Sequence, residues 1–168
     1  LDAEDNRFPG FGKTYREIRK HIEFDLDTYK RLKKYADDLG TAFFVSVFDI
    51  KSAEQMADLG MPVLKIASHC LSNKPLIEKL TEIKLPVLLS TGMAYLEEVD
   101  ETVNTLLKAG VELGLYHCVS EYPHTYKTSN LKQIPFLKQR YGLPVGYSSH
   151  EQENYTAILS VAAGACSI

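Results

Sequence analysis

A lysine in the middle of an apolar run is the residue whose position most suggests chemistry. Lys65 lies within residues 62–70, Pro-Val-Leu-Lys-Ile-Ala-Ser-His-Cys, which begin like a buried strand and show no helical period. Because side chains alternate along a strand, Lys65 shares a face with Val63 and Ala67. A buried ammonium group is costly unless an anion or a reactive carbonyl meets it. The pattern predicts an anion-binding or Schiff-base lysine, with an edge-strand lysine that reaches water as the alternative.

Polar side chains follow this run and four others, at the points where predicted strands end. The other runs cover residues 41–48, 86–92, 113–120 and 143–150. Polar residues at the same end of successive parallel strands are the way a barrel builds a site. Hydroxyls and loop amides suit a carboxylate or a phosphate, although a single serine there is more often a turn former. The hydroxyls predicted for this rim belong to Ser68, Ser90, Thr91, Ser120, Ser148 and Ser149.

Of the five histidines, His150 is the best candidate for a metal ligand or an acid–base group. It directly follows Ser148 and Ser149 at a strand end. No second ligand lies at a recognisable spacing from it. His21 is predicted to lie on the surface, and the roles of the other three histidines stay open.

The elements that must position these residues alternate regularly. Helical patterns separate the apolar runs, and residues 165–168 read as the start of a sixth strand. Such alternation predicts a parallel sheet, in a doubly wound open sheet or in a (β/α)8 barrel, and the polar strand ends favour the barrel. A complete barrel needs about 250 residues, so 168 residues predict an incomplete one. Residues 1–24 are predicted to be a polar lead-in loop with a short helix near residues 15–20.

Three further helix starts are predicted from capping residues. Ser52 with Gln55 forms a possible capping box, Asn73 precedes Pro75, and Asn130 precedes an apolar helical pattern.

The composition argues against several classes of function. The net charge is −3, and no basic run suggests nucleic-acid binding. No apolar stretch reaches the length of a membrane span, and no secretory signal is visible. The three cysteines are odd in number and lack metal-type spacing, which favours a reduced, cytoplasmic compartment.

Four segments together resemble the N-acetylneuraminate (sialic acid) synthase family. They are Lys-Ile-Ala-Ser at 65–68, Leu-Ser-Thr-Gly-Met at 89–93, His-Cys-Val-Ser-Glu-Tyr-Pro at 117–123, and Val-Gly-Tyr-Ser-Ser-His-Glu at 145–151. Residues 12–16 and 22–24 also resemble a segment found in many members. The match runs in order along nearly the whole chain.

The resemblance implies a TIM barrel, α/β in class, that is a transferase in sialic acid biosynthesis. Such an enzyme condenses phosphoenolpyruvate with an open-chain N-acyl amino sugar, for example N-acetylmannosamine or its 6-phosphate, and releases phosphate. Lys65 and Ser68 would hold phosphoenolpyruvate, with Lys65 as the catalytic residue. Ser120 and Ser148 would contact its carboxylate or phosphate, and Tyr122 would line the sugar side.

The resemblance also adds Ser90 to the substrate-binding rim and makes His150 one ligand of a divalent metal. That metal, Mn²⁺ or Mg²⁺, would polarise the sugar aldehyde. Family members are commonly homodimers.

The sequence departs from the family at several points. Cys70 stands where many members have a glutamate tied to sugar handling or proton transfer. The family's first two strands would precede Leu1, and a Glu-x-His element with a second metal histidine would follow Ile168. The family's C-terminal antifreeze-like domain would likewise lie outside residues 1–168. Residues 1–168 are therefore predicted to be a partial barrel domain, strands 3 to 7 plus the start of strand 8, and inactive alone.

Two other functions remain compatible with the residues. Lys65 would form a Schiff base in an aldolase or another lyase of the barrel class. A truncated barrel would instead serve as a non-catalytic scaffold for binding or oligomerisation.

Overall fold

The structure is a computed structural model that describes residues 2–5, 8–152 and 154–168. The chain forms two compact units, Leu1–Thr41 and Ala42–Ile168. The second unit holds every residue predicted for the active site.

The first unit contains two helices, α1 at Tyr15–Ile22 and α2 at Leu26–Asp38. Thr14 begins α1 through a capping box with Glu17, in which each side chain accepts a backbone N–H of the other residue. Asp25 begins α2, because its carboxylate accepts the backbone N–H of Thr28 at 2.8 Å. The short helix predicted near residues 15–20 is α1, which runs two residues further.

The second unit is built on a sheet of five parallel strands that alternate with helices. The strands are β1 at Val45–Val47, β2 at Leu64–Ile66, β3 at Val87–Ser90, β4 at Leu113–Cys118 and β5 at Val145–Ser148. The helices are α3 at Ile50–Asp58, α4 at Lys74–Ile83, α5 at Leu96–Lys108, α6 at Gln133–Tyr141 and α7 at Tyr155–Ala162.

The strands pair in the order in which they occur in the chain, β1 to β5. A doubly wound sheet reverses its strand order at a switch point, so this sequential order excludes the open-sheet alternative. The unit is an unclosed section of a (β/α)8 barrel. Residues after α7 run beside β5, since Cys166 N–H donates to the carbonyl of Val145 and Tyr147 N–H donates to the carbonyl of Ser167, both at 2.9 Å. The start of a sixth strand is therefore confirmed.

The two faces of the sheet differ in composition. Right-handed crossovers place all connecting helices on one face of such a sheet. On the helix-covered face, the strand register aligns one row of apolar side chains, each at most 1% exposed. The row consists of Val47, Ile66, Leu89, Leu115 and Val145. The adjacent row, Ser46, Lys65, Leu88 and Gly114, occupies the other face. Lys65 thus points away from the helix layer.

The strand predicted over residues 62–70 is wrong in its second half. Regular pairing ends at Ile66, and Ser68–Cys70 form a 3-10 turn. Cys70 N–H donates to the carbonyl of Ala67 at 2.9 Å, which closes the turn. Three successive side chains therefore leave the backbone in three directions rather than alternating between two faces.

Two of the predicted helix starts are also wrong. Asp49, three residues earlier than Ser52, caps α3, and Ser52 is the partner in its capping box. Asn130 has a left-handed backbone (φ 44°), and α6 begins only at Gln133. Asn73 does cap α4, as predicted, by accepting the N–H of Leu76. Among the described residues, no helix combines the length and apolar character needed to cross a membrane.

Candidate active site

A cavity of about 240 Å³ opens at the carboxyl ends of the strands, on the face away from the helices. Its described lining is Phe48, Lys65, Ala67, Ser68, His69, Ser90, Met93, Cys118, Ser120, Tyr122, Ser148 and His150. All seven residues predicted for the site border this one cavity, although they come from β2, β3, β4, β5 and the segments that follow these strands. Their individual roles stay predictions.

Lys65 brings a positive charge to the cavity wall. It lies in β2, between β1 and β3, so it is not on an edge strand. Its side chain is half-buried, and no carboxylate within the described residues pairs with it. A half-buried ammonium group without a protein partner favours an anionic ligand in the adjoining space.

Two serine hydroxyls beside Lys65 are buried without a hydrogen-bond partner. The Oγ atoms of Ser68 and Ser90 have no partner in the described part of the protein, and their residues are 9% and 2% exposed. Leaving such a group unsatisfied costs about 1–3 kcal/mol. Buried hydroxyls that face a cavity are therefore expected to be satisfied by what enters it.

Gly92 lets the serines of separate strands approach one another. A Cβ atom on Gly92 would lie 2.7 Å from Ser120 Oγ, 2.9 Å from Ser68 Oγ and 2.8 Å from the carbonyl oxygen of Cys118. These distances are shorter than van der Waals contact. A glycine is required here because any side chain would displace the hydroxyls that border the cavity.

His150 is held in one tautomer by the backbone. Its Nδ1 lies 3.0 Å from the carbonyl oxygen of Val119. A carbonyl only accepts, so Nδ1 donates, and in the neutral ring Nε2 carries the free electron pair. The ring of Tyr122 packs against His150 with centroids 4.1 Å apart, and Cys118 Sγ lies 4.0 Å from Nδ1. This geometry leaves Nε2 able to accept a proton or bind a cation.

The neighbouring carboxylate, Glu151, points to the opposite side of the sheet. Its side chain is fully buried and accepts the hydroxyls of Tyr147 and Ser149 and the backbone N–H of His150. His124 Nε2 lies 3.3 Å from one of its oxygens. Burial alone would raise the pKa of Glu151, but the hydroxyl donors outweigh it and hold the pKa below its usual value.

Two hydroxyls predicted for the rim do not reach the cavity. Ser149 donates to Glu151, and Thr91 donates to the carbonyl of Tyr116 at 3.1 Å. Each directly follows a serine that does border the cavity, so the alternation of side chains turns it to the helix side.

Two of the histidines left open by the sequence also lie on the helix side. His117 Nε2 is 2.7 Å from the carbonyl of Ser129, which accepts its hydrogen, and burial lowers the pKa of His117. His124 is buried beside Glu151. Neither residue borders the cavity in the described structure.

Five lining residues were not predicted for the site: Phe48, Ala67, His69, Met93 and Cys118. The signal for Cys118 was present, because it precedes Ser120 by two residues and therefore shares its face. His69 has no such signal, since only the 3-10 turn places it beside the cavity. Its ring stacks on Phe48, with centroids 5.2 Å apart and planes inclined by 26°.

The described residues do not form a complete metal site. No group of three or more His, Cys, Asp or Glu side chains among them is arranged around a common point. His150 contributes one imidazole nitrogen, whereas Glu151 is turned away from it and engaged with Tyr147 and Ser149. One nitrogen does not hold a divalent cation tightly.

Comparison with known proteins assigns nearly the whole chain to one family. The sequence model of the NeuB family matches residues 3–168. An N,N'-diacetyllegionaminic acid synthase of Campylobacter jejuni is 37% identical over 155 residues, which cover 90% of this chain and 46% of that protein. An N-acetylneuraminate-9-phosphate synthase of Drosophila melanogaster is 37% identical over 153 residues, covering 90% of this chain and 41% of that protein. The chain thus spans less than half the length of these relatives.

Among solved structures, an N-acetylneuraminic acid (sialic acid) synthetase of Leptospira borgpetersenii, crystallised with citrate, superimposes with a TM-score of 0.88. The two sequences are 33% identical, and the match covers 97% of this chain and 58% of that one. Strand order, cavity and sequence agree, and the chain belongs to the NeuB family.

Proposed function

We propose that this chain provides the phosphoenolpyruvate site of a nonulosonic acid synthase. The reaction is the transfer of a three-carbon unit from phosphoenolpyruvate to an N-acyl amino sugar, with release of phosphate. Membership of the NeuB family supports it, as do relatives named as synthases of legionaminic acid and of N-acetylneuraminate 9-phosphate.

One observation carries the proposal: a cation and two buried hydroxyls that have no partner among the described residues share one cavity. Lys65 supplies the charge, and Ser68 and Ser90 supply the hydroxyls. Phosphoenolpyruvate carries a carboxylate and a phosphate on adjacent atoms of a small, flat molecule. A lysine and several hydroxyl donors replace the hydration shell of such a ligand.

In this proposal each residue of the cavity has a separate role. Lys65 neutralises the anion and draws negative charge toward the leaving phosphate. Ser68, Ser90, Ser120 and Ser148 orient its oxygens, so that the carbon that attacks the sugar faces the mouth of the cavity. Tyr122 covers the sugar side.

A divalent metal, Mn²⁺ or Mg²⁺, would supply polarisation of the sugar aldehyde. His150 would provide one ligand through Nε2. The described residues place no group of three or more His, Cys, Asp or Glu side chains around it.

The acceptor is proposed only as a class, the N-acyl amino sugars. The two curated relatives are named for different products, so neither name fixes the sugar here. N-acetylmannosamine and its 6-phosphate are the first candidates to assay. A cytoplasmic location and a homodimer remain predictions.

The test is calorimetric titration of the whole protein with phosphoenolpyruvate, followed by measurement of phosphate release with each sugar. We expect saturable binding, and phosphate release that requires both substrates. If the correctly folded protein does not bind phosphoenolpyruvate, the proposed function is wrong and the non-catalytic scaffold is favoured.

The Schiff-base alternative has its own test. Borohydride reduction in the presence of pyruvate traps a covalent adduct on a Schiff-base lysine. We expect mass spectrometry to find Lys65 unmodified, and a reduced adduct there would favour the aldolase instead.

A further inference from the structure

A stacked imidazole stands at the mouth of the cavity. The ring of His69 lies against Phe48, and both side chains border the cavity while remaining exposed to solvent. Stacking on Phe48 fixes the plane of the imidazole but occupies neither ring nitrogen. Within the described part of the chain, neither nitrogen of His69 has a hydrogen-bond partner.

The two histidines of the cavity are prepared for different tasks. In His150, Nδ1 is committed to the carbonyl of Val119, so the ring can offer only Nε2. In His69, neither nitrogen is engaged by the described residues, so a ligand can contact either one. Imidazole exchanges protons readily near neutral pH.

Carboxylates, which commonly transfer protons, do not line the described part of this cavity. The described lining contains no aspartate or glutamate. Cys70, next to His69, is buried with its Sγ 3.9 Å from the carbonyl of Phe48, and burial raises its pKa. Among the described lining residues, His69 is the exposed imidazole that no backbone carbonyl engages.

The placement of His69 suits the second substrate rather than the first. The hydroxyls of Ser68 and Ser90 are buried, whereas the imidazole of His69 is exposed at the mouth. His69 follows β2, and a second aromatic–imidazole pair on the same cavity, Tyr122 and His150, follows β4 and β5. A substrate that enters after phosphoenolpyruvate meets these two aromatic–imidazole pairs first.

We propose that His69 is a catalytic residue that protonates the carbonyl oxygen of the acceptor sugar, an inference that rests on the proposed function. As C3 of phosphoenolpyruvate forms a bond to the aldehyde carbon, the C=O π electrons move to oxygen, which takes the proton of the His69 imidazolium. Water then adds to C2, and its released proton returns to His69. The bond between C2 and the phosphate oxygen then breaks, with its electron pair leaving on phosphate. The C2 hydroxyl passes its proton to the departing phosphate and becomes the ketone of the 2-keto acid.

The experiment compares His69→Ala with His21→Ala in the whole protein. His21 is a matched control, because it is also exposed and stacks on a phenylalanine, Phe11, with planes inclined by 26°. Phosphoenolpyruvate affinity is measured by calorimetry, and kcat is measured with and without added imidazole. General acid–base groups contribute about 10²- to 10⁴-fold to rate.

We expect His69→Ala to bind phosphoenolpyruvate normally, to lose kcat by about that factor, and to recover part of it as imidazole is added. His21→Ala should match the wild type. A His69→Ala enzyme with normal kcat, or one with low kcat that imidazole does not raise, would overturn this role while leaving the proposed function intact. Failure of the wild-type protein to bind phosphoenolpyruvate would overturn both.

Discussion

The hydroxyl oxygen of Ser68 lies 2.9 Å from the point that a Cβ atom on Gly92 would occupy. These two residues belong to the segments that follow β2 and β3. The same point is 2.8 Å from the carbonyl oxygen of Cys118, which is backbone and cannot rotate away. The hydroxyls of Ser68 and Ser120 can therefore occupy these positions only because residue 92 has no Cβ atom.

Gly92→Ala is therefore expected to damage ligand binding. The added methyl group must displace Ser68 and Ser120 or push the backbone after β4, and such overpacking costs about 1–3 kcal/mol. We expect phosphoenolpyruvate affinity to fall at least about tenfold, measured by calorimetry. Gly10→Ala is the control, since a Cβ there meets no atom within 4 Å. Unchanged affinity in Gly92→Ala would show that the two serines do not hold the ligand together.

Lys65→Ala should abolish turnover and weaken phosphoenolpyruvate binding. Removing one partner of a desolvated charge pair costs roughly 2–5 kcal/mol. The control is Lys51→Ala, which removes an exposed lysine from α3. Calorimetry and the phosphate-release assay measure the two effects, and a near-normal rate and Michaelis constant would remove Lys65 from the site.

His150→Ala should weaken the binding of manganese. Imidazole suits manganese better than magnesium, which prefers oxygen ligands. The 168-residue chain alone should bind Mn²⁺ weakly, because its described residues supply no cluster of ligands. Electron paramagnetic resonance of free Mn²⁺ measures binding, and His124→Ala serves as a control on the buried side. A tight, stoichiometric site in this chain, or equal affinity without His150, would place the metal elsewhere.

His117 should make the fold sensitive to mild acid. Burial lowers the pKa of His117, and the hydrogen bond to Ser129 offsets this only in part. In the unfolded chain a histidine has a pKa of about 6.5. Below that pH, His117 binds a proton more readily in the unfolded chain than in the folded one. The free energy of unfolding is therefore fully present above that pH and decreases as the pH falls.

The loss amounts to at most about 1.4 kcal/mol per pH unit for one histidine. Urea unfolding at pH 7 and pH 5 should show a larger loss in the wild type than in His117→Gln, whose amide can still donate to Ser129. Equal losses in the two proteins would mean that His117 is not the group responsible.

Cys70 should tolerate replacement by serine. Burial, and then the charge of Asp49, raise the pKa of its thiol, so Cys70 is not a ready nucleophile. Alkylation followed by mass spectrometry should label the exposed Cys166 well before Cys70. Complete loss of activity in Cys70→Ser, or equally rapid labelling of the two thiols, would contradict this prediction.

Much of the fold was predictable because its elements carry local signals. Leu64 and Ile66 alternate with Lys65 and are fully buried, as a strand with one packed face requires. The beginnings of α3 and α6 were less predictable. Asp49 and Ser52 are both good capping residues three positions apart, and asparagine also occupies left-handed turn positions such as that of Asn130.

The site was predictable where a residue ends a strand and not where a turn redirects it. Ser90 and Ser148 end paired strands, so their side-chain directions follow from the alternation. His69 and Cys70 lie in a 3-10 turn, whose presence depends on backbone hydrogen bonds that the sequence does not display. Ser149 was misplaced because it directly follows Ser148, so the alternation turns it to the helix side, where it donates to Glu151.

The alternation at the ends of β3 and β4 makes the wall of the cavity a single backbone thick. Ser90 and Cys118 border the candidate active-site cavity. Their chain neighbours, Thr91 and His117, border a second cavity on the helix side. A change in the volume of a side chain in the second cavity is therefore separated from the active-site cavity by only one strand backbone. Catalytic differences among relatives can thus arise from residues that never meet a substrate, and comparing active-site residues alone would overlook their source.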